Sequence, residues 1–176
     1  NLHDNADGSR IGPNFKTNRA GAAVSKLVTP LEAAARIADG AVVTVSSSSA
    51  LGCPDKVLWA VGERFRTAGH PRALTMLHPI AAGDMYGVKG IDHIAEDGLL
   101  ARVIAGSYPS GPSNLAMPKI WQMIVEDRVP AYNVPSGILF DMHRDVAARR
   151  PGVLTKVGLG TFVDPRFGGG KLNART

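Results

Sequence analysis

The chain has 176 residues, 44% of them hydrophobic and 20% charged, a composition that suits one globular domain with a true core and excludes a disordered chain. The formal charge of +5 and pI near 9.7 favour anionic partners, but the basic residues are scattered, with few aromatics between them, so no nucleic-acid footprint is visible. The single cysteine, Cys53, excludes a disulfide framework and a cysteine-built zinc cluster and points to a reducing, cytoplasmic setting, and no apolar stretch approaches the roughly 18 residues of a membrane span.

The opening segment, "NLHDNADGSRIGPNFKTNRAG", is polar and lacks the apolar centre of a signal peptide; residues 1–24 read as a flexible arm. Regular text begins at Ser25. In "SKLVTPLEAAARIADG", Thr29, Pro30 and Glu32 stand at the N-cap, first and third positions of a helix, a capping box, with Gly40 after the helix end. "GAVVTV" reads as a buried strand. "PDKVLWAVGERFRTAG" is an amphipathic helix, apolar at Val57, Leu58, Val61 and Phe65, and Asp55 or the preceding serines can cap it. "ALTMLH" is a strand, "GIDHIAEDG" a short helix and "LLARVIAG" a strand. "SNLAMPKIWQMIVEDR" is a helix interrupted at Pro118, "VPAYNV" a strand, "GILFDMHRDVAAR" a helix, and "LTKVGLGTFVD" a final strand or pair of strands.

Strands alternate with helices, and the strands are continuous apolar runs. The pattern predicts an α/β fold: an open, mostly parallel sheet with helices on both faces. Ligands of such sheets bind beyond the carboxyl ends of the strands, where "SSSSALGCPD", "HPIAAGDMYG", "GSYPSGPSN" and "NVPSG" are expected to converge. The serine loop offers small side chains beside the unpaired N–H groups of a strand-to-helix turn, which suits an anion or oxyanion. The same serines equally suit a turn that only caps a helix.

"GLGTFVDPRFGGGK" is not a P-loop, because Pro165 and Leu172 occupy positions that require glycine and Ser or Thr. It is not a dinucleotide fingerprint either, since no helix follows Gly158 and Gly160. Of the five histidines, only His78, at a strand end, is well placed for a site. None pairs with a carboxylate at ligand spacing, so no metal is expected. Cys53 has no histidine partner in sequence, and Glu32, Glu63, Glu96 and Glu126 read as solvent-facing helix residues.

Three stretches, "AEDGLLARVIAG", "VPAYNVPSG" and above all "RRPGVLTKVGLGTFVDPRFGGGKLN", resemble the acetate/3-oxoacid CoA-transferases of family I, in the branch where both halves share one chain. The likeness runs from Lys26 to Asn173. It implies an α (first-half) domain over 25–176, incomplete at its C-terminus, and a reaction moving CoA between an acyl-CoA and a carboxylic acid through a glutamyl-CoA thioester. No permanently bound cofactor is implied; coenzyme A is a substrate. The family's nucleophile lies in its second half, within a Glu-x-Gly pattern; the Glu-x-Gly of this chain, Glu96-Asp97-Gly98, stands in first-half text, so the glutamate is expected from a second (β) half or subunit, in a higher oligomer. The family's oxyanion loop, a Gly-Gly-Phe-x-Gly pattern, corresponds to Ser48, Ser49, Ala50, Leu51 and Gly52. Substrate contacts are expected at His78, Ser107, Tyr108, Ser136 and Gly137.

This chain departs from the family at those loops. Ser48 and Ser49 replace glycines and Ala50 an aromatic. Ser136 replaces a glutamine, and Ser107 and Pro109 replace a histidine and a glycine. Two alternatives accompany this reading: a hydrolase or carbon–carbon-cleaving enzyme acting on a CoA thioester with the same fold, and a non-catalytic module that binds anionic metabolites.

Overall fold

The computed structural model describes residues 26–110 and 116–175. The arm expected over 1–24 lies outside that range, as do residues 111–115 before the third long helix. The elements run α1 (Pro30–Ala35), β1 (Val42–Thr44), α2 (Asp55–Ala68), β2 (Leu74–His78), a 3₁₀ turn (Gly90–His93), β3 (Leu100–Ala105), α3 (Lys119–Val125), β4 (Ala131–Asn133) and α4 (Ser136–Ala147). The four strands form one parallel sheet in the order β1-β2-β3-β4.

Strands that follow one another across a sheet by right-handed crossovers place their connecting helices on one face. The register shows which face that is. Val43, Met76, Val103 and Ala131 stand in one row, and they pack in a core with Leu58 and Val61 of α2 and with Ile120, Met123 and Ile124 of α3. The alternate row, Thr44, Leu77, Ile104 and Tyr132, points the other way. On that face lies α4: His143 Nε2 is 2.6 Å from Thr44 Oγ1, and Leu139 and Met142 share a cavity of about 390 Å³ with Ile104 and Tyr132. Helices therefore cover both faces, as the alternation of elements predicts.

The capping box of α1 is formed, with Glu32 N donating to Thr29 Oγ1 at 3.2 Å and Thr29 N to Glu32 Oε2 at 2.7 Å. The helix is shorter than its sequence suggests, ending at Ala35. The Ala34 carbonyl in its last turn and the Ile37 carbonyl just beyond it accept from Arg64 of α2 at 3.3 and 3.2 Å. α3 begins only after Pro118, which is extended at ψ 143°. The Asp92 carboxylate, 27 residues upstream, accepts from Lys119 N and Ile120 N at 2.8 and 3.1 Å.

Two expectations are corrected. The first strand is not buried. β1 is a sheet edge, with Val42 69% exposed: among the described residues no strand pairs along its outer side. No strand forms over 154–164 either. Within it Gly158 and Gly160 take positive φ, which breaks an extended run, and the segment folds instead around Asp164. Its carboxylate accepts from Gly160 N at 2.8 Å and from the Arg166 guanidinium at 2.6 Å, so the carboxyl is held well below the usual range by Arg166 first. Strand pairing resumes at Gly170–Leu172, antiparallel to β4: Asn133 N donates to Gly170 O at 2.7 Å and Leu172 N to Ala131 O at 2.9 Å.

α2 is pressed onto the 3₁₀ turn at Gly62, where a Cβ would stand 2.1 Å from the His93 carbonyl oxygen. Alanine is intrinsically the better helix residue by about 1 kcal/mol, yet overpacking costs about 1–3 kcal/mol. Gly62→Ala is therefore expected to lower the melting temperature in thermal unfolding. An unchanged or raised value would contradict this packing.

Candidate active site

The four loops beyond the strand ends meet through the segment after β2. From the serine loop, Ser47 Oγ donates to Ala81 O at 3.3 Å, and Gly83 N donates to Ser49 O at 3.1 Å, within a parallel bridge between Ser49 and Ala82. From the loop after β3, Ser107 Oγ accepts from Ala81 N at 2.9 Å. Gly106 N donates to His78 O at 3.0 Å. Gly106 can only be glycine here: a Cβ would stand 2.0 Å from Pro79 O and 2.3 Å from Ser136 Oγ. That contact brings in the loop after β4. The result is one ledge of small side chains at the carboxyl edge of the sheet, with Ser49, Ser107 and Ser136 joined through 79–83 and Gly106.

Within the serine loop, Ser48 N donates to Leu51 O at 2.9 Å and Leu51 N to Ser48 O at 3.0 Å, and Cys53 N donates to Ala50 O at 3.2 Å. This tight turn holds Ser49 at φ +53° and Gly52 at φ +71°. A serine in the left-handed region is strained, so the backbone keeps a conformation that glycine would adopt freely. The N–H groups of Ala50 and Gly52 donate to no described residue. They are donors left open at the turn, and Leu51 projects into solvent.

His78 and Tyr108 lie beneath the ledge. The His78 side chain is fully buried and meets Tyr108 edge-on at 5.5 Å between centroids. Its Nδ1 is 3.2 Å from Ile80 O, which fixes Nδ1 as the protonated nitrogen, and its Nε2 has no partner among the described residues. Burial lowers its pKa from 6.5 to about 4, so the ring is neutral. Tyr108 donates to Tyr132 O at 2.9 Å, packs tilted against Trp121 at 5.2 Å between centroids, and burial pushes its phenol up. Both support the ledge from below. Gly137 stands apart, beside Phe140, His143 and Arg144 on α4.

Ser47, Ala81, Ala82 and Gly106 lie in loops that the sequence marks for the site, but no one of these residues stands out within them. The signal available was a glycine directly after a strand, at the point where two loops must cross. Asp55, read as a cap for α2, caps nothing of its own helix: Oδ1 accepts from Gly90 N at 2.7 Å and lies 3.2 Å from His93 Nε2.

The ledge can stabilise negative charge on an oxygen, but it holds no activated nucleophile among the described residues. Burial pushes the Cys53 thiol up, and Asp55 and Asp84 add to that, the opposite of an activated thiolate. Glu32 caps α1, Glu63 and Glu96 pair with Arg66, and Glu126 pairs with Arg128.

The folded-state pKa of His78 lies below the unfolded value, so its contribution to stability is present above about pH 6.5 and is lost as pH falls towards 4, by about 3 kcal/mol. Wild-type unfolding free energy should drop more steeply across pH 6.5–4 than that of His78→Phe, which keeps a ring against Tyr108 but cannot titrate. Parallel slopes would show that His78 is not buried neutral.

A family model described as Coenzyme A transferase matches residues 28–174. The chain is 36% identical over 153 residues to the caffeate CoA-transferase of Acetobacterium woodii, covering 87% of this chain and 28% of that protein. It is 33% identical over 120 residues to the acetate CoA-transferase YdiF of Escherichia coli K12, covering 68% and 21%. The solved apoenzyme of the acyl-CoA transferase YdiF from Escherichia coli O157:H7 superposes with a TM-score of 0.71 at 30% identity, over 85% of this chain and 28% of that one. The thioester complex of that transferase with CoA matches equally well. The chain spans about a quarter of the length of these relatives. A match to the family model over nearly every described residue, together with this shared fold, shows that the chain belongs to the family I coenzyme A transferases.

Proposed function

We propose that this chain is the first-half component of an enzyme that moves CoA from an acyl-CoA to a carboxylic acid, with the attacking glutamate supplied by a second half or subunit. The observation that carries the reading is the ledge itself: backbone donors at Ala50 and Gly52, small side chains around them, and no nucleophile beside them among the described residues. Carboxylate attack on a thioester carbonyl puts a full negative charge on the carbonyl oxygen. CoA thiolate leaves, a mixed anhydride forms, and thiolate attack on the glutamyl carbonyl gives glutamyl-CoA and releases the first acid. The acceptor acid then runs the sequence backwards. Each tetrahedral step needs preorganised donors, each worth about 10²–10³ in rate.

Two further facts support the reading. The names of the relatives are CoA-transferases, and one solved relative is a thioester complex with CoA. The chain also presents an apolar face that suits a large protein partner. On the loop folded around Asp164, Leu154 is fully exposed, and Val157, Leu159, Phe162 and Phe167 are each more than half exposed. Five such side chains on one ordered segment exceed the scatter normal for a free surface.

The replacement of glycines by Ser48 and Ser49 makes the ledge more polar than the family pattern and suits a hydroxylated or dicarboxylic acyl group. The chain alone should exchange no label between an acyl-CoA and a radiolabelled free acid. Exchange should appear on adding a polypeptide that carries the remaining length of a CoA-transferase, with borohydride-trappable thioester on that partner's glutamate. Release of the acyl group to water without exchange would replace the transferase with a hydrolase. Exchange by the chain alone would overturn the division of labour.

A further inference from the structure

The first strand has an unused side. Thr75 N donates to Ala41 O and Val45 N donates to Leu77 O, each at 3.0 Å, so the odd-numbered residues of this run turn their peptide groups to β2. Peptide groups alternate along a strand, and the N–H and C=O of Val42 and Thr44 therefore point away from the sheet. Among the described residues no strand takes them up. Native sheets blunt such an edge with a charge, a proline or a bulge, because a bare one templates pairing with another chain. Residues 41–45 hold neither a charge nor a proline, and β1 pairs with β2 in unbroken register.

The path of α4 says where a further strand belongs. α2 and α3 lie on one face of the sheet, as successive crossovers from β1 to β4 require. α4 follows β4 but lies on the opposite face and runs back: Leu139 and Met142 stand with Ile104 of β3 and Tyr132 of β4, and His143 reaches Thr44 of β1. Its 12 residues span about 18 Å, enough to recross three strand spacings of about 14 Å in all. A crossover that changes face winds in the other direction, so it leads towards a strand on the far side of β1. Residues 148–175 place none there. They fold around Asp164 and pair Gly170–Leu172 with β4, at the opposite edge.

An uncharged, apolar edge takes an extended, uncharged partner. Residues 1–25 are a poor source of one: their β-branched residues are Ile11, Thr17 and Val24, no two of them adjacent. About three quarters of the length of each relative lies outside the stretch matched here, ample to supply it. A strand laid along β1 would pass Ser46 and Ser47, where β1 gives way to the serine loop. The winding reverses at that point, which is where open α/β sheets hold their ligands. The ledge is bordered by loops from β2, β3 and β4 on its other side, so the added strand would supply its outer wall.

We propose that a strand of a second polypeptide adds to the open edge of β1 and walls the ledge at the serine loop. The choice of polypeptide rests on the acyl-transfer reading, as the one that supplies the glutamate; the open edge does not. The 176-residue chain would be mixed with a polypeptide carrying the unmatched remainder of the Acetobacterium woodii caffeate CoA-transferase. Amide hydrogen exchange at Val42 and Thr44 reads the edge directly. We expect rapid exchange in the chain alone and at least a hundredfold slowing in the mixture. Val42→Pro removes one outward N–H and no bond to β2, so association should weaken at least tenfold while Met76 and Val103 keep their protection. The wild-type exchange decides the matter alone should that variant not fold. Val42 and Thr44 unprotected in the mixture, or association undiminished in folded Val42→Pro, would overturn the proposal. Slow exchange in the chain alone would also overturn it, giving the edge to residues 1–25 if independent of concentration and to a second copy if it rises with concentration. Protection at β1 in a complex that transfers no CoA would retract the acyl-transfer reading and leave the strand. Transfer with β1 unprotected would do the reverse.

Discussion

Everything proposed for this chain depends on how the segment after β2 is stitched into its neighbours. Ala81 donates its N–H to Ser107 and accepts from Ser47 with its carbonyl, and Gly83 donates to Ser49. A loop running between two others on a sheet edge must satisfy its backbone groups or leave them in water. Here they are satisfied sideways by loops from β1 and β3. Separate loop tips thereby become a single surface. The buried His78–Tyr108 pair fills the space under it, with His78 Nδ1 and the Tyr108 hydroxyl bonded to the carbonyls of Ile80 and Tyr132.

Small side chains are what make the ledge usable. At Gly106 the backbone passes so close to Pro79 and Ser136 that no Cβ fits. At Ser49 the turn demands a left-handed φ and takes it from a serine, a strain of about 1–2 kcal/mol that the surrounding bonds must hold. The family pattern has glycine there. The surface leaves backbone donors open at Ala50 and Gly52 and holds no activated nucleophile among the described residues, which is what the proposed division of labour asks of it.

Much of this was legible in the residues. Thr29, Pro30 and Glu32 announce α1, and the alternation of apolar runs with amphipathic stretches gives the parallel sheet. The Gly, Pro and Ser loops at the strand ends give the edge where the site would lie. "TKVGLGTFVDPR" gives the family. What sequence could not give is pairing across long separations. Asp55 serves Gly90 instead of its own helix, Asp92 caps α3, and Arg64 closes α1, because tertiary packing places a better partner than the local one. The 154–164 stretch failed as a strand for a different reason. Its β-branched residues are outweighed by glycines with positive φ and by one carboxylate that gathers the backbone around itself. The exposure of β1 was hidden because an apolar run does not reveal whether a neighbour will cover it.

The central claim is that the loops form one ledge, and native-state amide hydrogen exchange tests it directly. In Ser107→Ala the Ala81 N–H loses its acceptor, whereas the Gly83 N–H keeps its own, Ser49 O. The account predicts that protection at Ala81 and Gly83 falls together, by about tenfold or more, as one cooperative unit, while Met76 and Val103 in the sheet stay as they were. Loss of protection at Ala81 alone would show loops that merely lie side by side, and would contradict a single preformed site.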